Sequence, residues 1–170
     1  AAEVIELRQL VASRRDHAEA IDRLLDADAY RLAADPTLSF GAPDRESVPP
    51  EIDFAPLDEA IETIRKSAAA YDAALSRPIS AAGSARADAI LQGLEQVFTV
   101  ETGLPGRPWY RHLLYAPGLL TGYGSKTLPG VREAIEAARW DEVRDYIGRT
   151  AAVLKAASTK IDDAAGALSQ

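Results

Sequence analysis

The placement of proline and glycine divides this chain before any periodicity is read. Five of the ten prolines (Pro36, Pro43, Pro49, Pro50 and Pro56) fall between Asp35 and Pro56. Four more (Pro105, Pro108, Pro117 and Pro129) fall between Gly103 and Gly130, together with six of the eleven glycines. Proline inside a helix removes a backbone hydrogen bond and clashes with the preceding turn, and glycine there costs about 1 kcal/mol relative to alanine. The first window therefore reads as a long extended connection and the second as a long loop. Regular structure is confined to the stretches around them.

In those stretches the apolar spacing is helical. From about Glu3 to Tyr30, Val4, Leu7, Leu10 and Val11, then Ile21, Leu24 and Leu25, recur at three- and four-residue steps, and Pro36 bounds the segment. A second helix starts near Pro56, a good first-turn residue. Its stripe is Leu57, Ala60, Ile61, Ile64, Ala68, Tyr71 and Leu75, and it stops before Pro78. A third runs from about Ser84 to Thr99, with Gly93 its weak point. A short helix over Pro129–Ala138 precedes a last one from Trp140 to about Ala167. In that last helix Trp140, Ile147, Leu154, Ile161 and Leu168 form a seven-residue repeat bordered by alanines. Such a seam suits close helix packing, ordinarily within a core and alternatively against a second copy.

Alanine, the strongest helix former, supplies 33 of 170 residues. The predicted fold is all-α: one domain over residues 1–170, a bundle of four or five helices carrying two long Pro/Gly-rich loops. With no cysteine and only His17 and His112, neither disulfides, thiol chemistry nor a self-contained multi-histidine metal site is available. A net charge of −7 argues against a general nucleic-acid binder. No apolar run approaches the roughly 20 residues needed to span a bilayer. The chain does not begin with methionine. It is read either as a product trimmed of its initiator or as a piece of something longer.

Chemistry is concentrated in the second window, GLPGRPWYRHLLYAPGLLTGYGSKTLPG. It has no Asp or Glu but contains Arg107, Arg111 and Lys126, so a loop of charge +3 sits in a chain whose remainder sums to −10. It also holds Trp109, Tyr110, Tyr115 and Tyr123, four of eleven aromatics. Two readings stand. Such a loop can offer guanidinium forks, phenol donors and backbone N–H groups to a carboxylate. Alternatively it is a structural loop whose cations pair with the acidic helices. His112 lacks a nucleophile motif or a carboxylate in the window to orient it, so it reads better as a hydrogen-bonded structural histidine than as a general base. His17 and the carboxylates near it (Glu19, Asp22, Asp26, Asp28) read as a solvated helix face.

The stretch Gly103-Leu-Pro-Gly-Arg-Pro-Trp-Tyr-Arg-His-Leu-Leu-Tyr-Ala-Pro117, and Tyr123 through Pro129-Gly130 with the following Val131-Arg-Glu-Ala-Ile, resemble a known signature. It is that of the C-terminal, transferrin-receptor-like dimerisation domain of the glutamate carboxypeptidase II family. Val48-Pro-Pro-Glu-Ile-Asp-Phe-Ala-Pro-Leu57 and Ser13-Arg-Arg-Asp16 fit the same domain, so the resemblance extends over essentially the whole chain. It implies a helical domain that follows a protease-associated domain and a zinc aminopeptidase-like domain and builds much of a homodimer. It also implies that one loop reaches the active site, where a tyrosine helps hold the substrate's terminal carboxylate. Tyr123 matches that tyrosine. The residue before it in the glutamate-specific human enzyme is a lysine and here is Gly122; Lys126, three residues on, is a candidate substitute. Arg107, Trp109, Tyr110, Arg111, His112 and Tyr115 are loop and interface candidates. The family's zinc ligands lie in the peptidase domain, which no segment here matches.

The expected role is thus dimerisation and completion of a substrate pocket in a zinc-dependent glutamate carboxypeptidase-like parent, with no catalysis by this chain alone. The implied partners are a second copy, the parent's peptidase and protease-associated domains, and a peptide with a C-terminal carboxylate; neither nucleic acid nor membrane is implied. Two other readings remain open: the dimerisation domain of a non-catalytic transferrin-receptor-like protein, and an independent helical bundle that binds an anion.

Overall fold

A computed structural model describes residues 1–33 and 42–169. The boundary expected at Pro36 lies outside the described residues. Helix α1 spans Ala2–Asp26 and buries Val4, Leu7, Val11 and Ala18 along one face. It ends four residues before the expected Tyr30, because Asp28 adopts φ +52° and breaks the run ahead of α2 (Ala29–Ala33). Past Ala18 the helix outruns the core, and Leu24, expected on the apolar stripe, is 44% exposed.

The connection from residue 42 to 54 is extended and lies back along α1. Arg45 pairs with Asp22 at 3.0 Å and with Asp26, and Arg15 Nη2 donates to the Pro49 carbonyl at 2.9 Å. Helix α3 (Ala55–Leu75) follows, with Pro56 in its first turn and the Asp53 carboxylate accepting from the Ala55 N–H at 2.8 Å. Its buried positions are Leu57, Ala60, Ser67 and Ala74. The stripe thus drifts from the expected one: small residues face α7, and Ala68 and Leu75 turn outward.

The third helix also differs from expectation. Helix α4 (Ala81–Leu91) starts three residues earlier than Ser84, because the Ser80 hydroxyl accepts from the Gly83 N–H at 2.9 Å and caps it. It stops before Gln92–Gly93, and a single further turn, α5 (Leu94–Val97), stands apart. Phe98 and Thr99 are drawn out of the expected helix by pairing with the loop: Leu113 N–H donates to the Phe98 carbonyl and Val100 N–H to that of Arg111, both at 2.9 Å.

Within the loop, Tyr115–Pro117 (β1) and Ser125–Thr127 (β2) form an antiparallel hairpin with Ala116 opposite Lys126. Helix α6 (Pro129–Glu136) and the long α7 (Trp140–Leu168) complete the chain. Between them the chain reverses through Ala138 at φ +53°, with Arg139 N–H bonded to the Ala134 carbonyl at 2.9 Å and Ala138 N–H to that of Ile135 at 3.0 Å. This is a Schellman closure with alanine where glycine is usual.

Helix α7 organises the bundle by packing against α3, α4 and α6. Its N-terminal half (Val143, Ile147, Ala151, Leu154) meets Val4 and Leu7 of α1, Leu57 of α3, Leu104 and Leu113 of the loop, and Val131 and Ile135 of α6 in the main core. Its C-terminal half (Ala164, Ala167, Leu168) joins Ala74 and Ala87 in a smaller cluster. The seven-residue seam is therefore spent within the chain: Ile147, Leu154 and Leu168 are buried, and Trp140 and Ile161 half-buried. The architecture is a helical bundle with one small hairpin. Among the described residues no helix is long and apolar enough to cross a membrane.

Candidate functional site

Gly103–Tyr110 doubles back on itself, with Leu104 N–H donating to the Tyr110 carbonyl at 2.9 Å, Arg107 N–H to that of Leu104 at 3.1 Å and Tyr110 N–H to that of Arg107 at 3.0 Å. With Leu104 and Leu113 fixed in the core, this fold points Arg107 inward, where it is only 4% exposed. Its Nη2 reaches both carboxylate oxygens of Glu133, on α6, at 2.6 Å, and its Nη1 donates to the Pro117 carbonyl at the end of β1. The ring of Tyr110 lies 5.5 Å from the guanidinium carbon. The two buried charges are paired, with both carboxylate oxygens engaged by one nitrogen, while the buried Nε has no hydrogen-bond partner among the described residues.

Glu133 has a further task, since its Oε1 accepts from the Leu119 N–H at 2.9 Å. The turn linking β1 to β2 thus leaves from a buried ion pair. It closes on itself: Gly118 N–H bonds to the Gly124 carbonyl at 2.9 Å, Gly124 N–H to that of Thr121 at 3.1 Å, and the Thr121 hydroxyl to that of Gly124 at 3.0 Å. Between those contacts the side chains face solvent. Leu119 is half exposed, Leu120 is 91% exposed, and Tyr123 is fully exposed.

At the base of the hairpin the charges are matched. Lys126 pairs with Glu136 of α6, Arg132 bridges Glu3 (3.3 Å) and Glu6 (3.0 Å) of α1, and the Thr127 hydroxyl donates to Glu3. Leu128 takes a left-handed conformation (φ +47°) and its N–H donates to the Leu114 carbonyl at 2.8 Å, which turns the chain from β2 into α6.

The remaining candidates lie around this hairpin. His112 accepts the Leu114 and Tyr115 N–H groups on Nδ1, at 3.2 and 3.3 Å, which places its proton on Nε2 when neutral. Nε2 lies 3.1 Å from Glu95 Oε1, off the axis of a hydrogen bond. Its ring stacks on Tyr115 at 4.0 Å. Tyr115 donates its hydroxyl to Glu95, and that hydrogen bond to a carboxylate holds the phenol above its usual pKa. Trp109 is 70% exposed beside Tyr110. Arg111 is exposed and makes no ion pair among the described residues.

The fold thus brings Arg107, Tyr115, Tyr123 and Lys126 onto one hairpin and its base, but in different roles. Arg107 and Lys126 are engaged by α6, while Tyr123 stands clear. Glu133 and Glu136, which hold them, lie just beyond the acid-free window and were not among the sequence candidates. No local pattern marks Glu133, because its burial follows from α6 sinking nearly whole into the core. Among the described residues no three His, Asp or Glu side chains converge as a metal site would require.

The sequence profile of the transferrin receptor-like dimerisation domain matches residues 52–162, nearly two thirds of the chain, from the start of α3 through the hairpin into α7. A protein of Arthroderma benhamiae described as a probable glutamate carboxypeptidase is 47% identical over 72 residues, covering 42% of this chain and 9% of that protein. Another so described, from Arabidopsis thaliana, is 39% identical over 71 residues, covering 38% of this chain and 10% of that protein. A third, from Schizosaccharomyces pombe and described as an inactive zinc metalloprotease, is 32% identical over 74 residues, covering 44% of this chain and 9% of that protein. The matched stretches span about a tenth of these curated relatives.

Proposed function

Since the chain belongs to the transferrin receptor-like dimerisation domain family, we propose that it serves a larger, zinc-dependent glutamate carboxypeptidase-like peptidase in two ways. Its helical body contributes to a homodimer, and its Gly118–Gly124 turn completes the substrate pocket. In that pocket the Tyr123 hydroxyl donates a hydrogen bond to the C-terminal carboxylate of a peptide. Zinc and the hydrolytic groups belong to the peptidase domain of the parent, and this chain alone does not hydrolyse peptides. Lys126 stays with Glu136, so substrate contact is assigned to Tyr123.

The observation that carries this reading is the contrast between the turn's tip and its base. A phenol with nothing packed on it stands on a turn whose root is a buried ion pair. A phenol whose backbone is held by the turn and whose hydroxyl has no intramolecular partner is available to a group that arrives from outside. Relatives described as glutamate carboxypeptidases support the peptidase parent.

In the full-length parent, Tyr123→Phe should raise KM about tenfold or more with kcat little changed, because a hydrogen bond to a carboxylate is worth roughly 1.5–3 kcal/mol and is present in ground and transition states alike. An unchanged KM removes Tyr123 from the pocket. A second reading, in which the parent is non-catalytic, is favoured by the relative described as inactive. Hydrolysis of peptides by the zinc-loaded parent would reject it.

A further inference from the structure

We propose that Leu128 is a positioning residue: its left-handed conformation, rather than its bulk, seats the β2 arm of the hairpin and, through that arm, Tyr123. The consequence for substrate binding rests on the pocket reading above; the seating of the arm does not.

The two arms of the hairpin are rooted differently. β1 ends among buried groups, with Ala116 and Gly118 in the interior and the Pro117 carbonyl held by Arg107. β2, the arm that leads back from Tyr123, has no such root. Ser125 and Thr127 are exposed, and the arm's side-chain ties, Lys126 to Glu136 and Thr127 to Glu3, end on carboxylates that water reaches. Ties of that kind contribute little.

Leu128 supplies the missing root, because one residue there both ends the hairpin and caps α6. Its N–H donates to the Leu114 carbonyl at 2.8 Å, one step beyond the Tyr115–Thr127 pair. Its carbonyl accepts from the Val131 and Arg132 N–H groups, both at 3.0 Å, and so opens the helix. No linker separates the two tasks. The whole change of direction falls on one residue, at φ +47° and ψ +51°.

Leucine does not choose this conformation. A left-handed backbone crowds Cβ against the following carbonyl, and a proline biases the residue before it towards extended backbone. Pro129 stands next in the chain. α6 cannot shift to relieve the turn, since Pro129 and Gly130 are buried and a Cβ on Gly130 would fall 2.2 Å from Tyr146 Cδ1. Strain that the surroundings enforce at one residue points to a geometry that is used. With residue 128 extended, its N–H and carbonyl could not meet both sets of partners, and β2 would leave α6 in another direction.

The test sets conformation against bulk. Isoleucine matches leucine in volume but, being β-branched, resists a positive φ; glycine has no side chain and accepts one freely. The chain has no cysteine, so spin labels on Leu120→Cys and on Ala152→Cys of α7, both exposed positions, report the distance from hairpin tip to body. Leu128→Ile should shift or broaden that distance distribution, and Leu128→Gly should leave it as it is. In the full-length parent, Leu128→Ile should raise KM about fivefold or more with kcat little changed, and Leu128→Gly should not.

The opposite order, an equal effect of the two, or an unmoved tip in Leu128→Ile overturns the proposal, because a residue that only fills space tolerates isoleucine and suffers from glycine. If Leu128→Ile does not fold, Leu128→Ala replaces it. Alanine and glycine both lack the leucine side chain and differ in their tolerance of the turn. The alanine protein should then move both readouts and the glycine protein neither; equal behaviour overturns the proposal. A displaced tip with an unchanged KM overturns the role in binding. The pocket reading then stands if Tyr123→Phe still raises KM and falls if it does not.

Discussion

Arg107 Nη2 stands 2.6 Å from each carboxylate oxygen of Glu133, and neither side chain retains a tenth of its exposure. The pair ties the Gly103–Tyr110 fold and α6 to the junction of β1 and the turn, through the Pro117 carbonyl and the Leu119 N–H.

Removing one partner strands the other. Glu133→Ala should destabilise the domain by about 3–5 kcal/mol, since it leaves an uncompensated guanidinium in the interior. Glu133→Gln keeps an acceptor for Leu119 and should cost less. The double exchange Arg107→Met with Glu133→Leu should be milder than Glu133→Ala, because it buries apolar atoms in place of charges. Urea titrations of the four proteins check this order. A single truncation costing under ~1 kcal/mol would contradict it.

Tyr146 predicts an alkaline limit to stability. The side chain is buried on α7, its hydroxyl donates to the Gly103 carbonyl at 3.2 Å, and burial pushes the phenol above its usual pKa. A raised acid pKa means that the neutral form is the one the fold favours. Its contribution is present below pH ~10, the ordinary value for an unfolded tyrosine, and is lost as pH rises through the higher folded value. Thermal unfolding followed from pH 8 to 11 should show that loss, and Tyr146→Phe should flatten it. At neutral pH the same exchange should cost about 0.5–1.5 kcal/mol for the lost hydrogen bond. Gly130→Ala probes the same ring from the other side, since its Cβ would fall 2.2 Å from Tyr146 Cδ1.

The turn between α6 and α7 offers a gain. Ala138 occupies a left-handed conformation that costs a non-glycine residue roughly 1–2 kcal/mol. Ala138→Gly should stabilise the domain by about 0.5–1 kcal/mol after allowing for the extra freedom glycine brings to the unfolded chain. The urea midpoint should rise with an unchanged slope, and a lower midpoint would mean the Ala138 methyl is packed usefully.

What the sequence made legible was set by local rules. Pro56 and Pro129 mark helix starts because proline lacks the N–H that the first turn does not need, and α3, α6 and α7 begin there or, for α7, at the predicted Trp140. The third helix fails where a long-range partner wins. Phe98 and Thr99 would extend it on periodicity, but pairing of Phe98 with Leu113 and of Val100 with Arg111 draws them out. The hairpin was missed because strands of three residues are too short to show alternation. Within the loop, the basic excess was visible in composition. That Arg107 and Lys126 would be spent on α6 was not, since those contacts depend on how α6 seats against the core.

The turn's closure has a consequence for how this domain can change over time. Gly118 and Gly124 shut the loop upon itself, and Glu133 fixes where it leaves the body. Leu120 and Tyr123 therefore sit on a cassette whose aim is inherited from α6 while its lettering is nearly free of folding constraint. Variation at those positions can change the surface that the domain exposes without disturbing the framework that presents it.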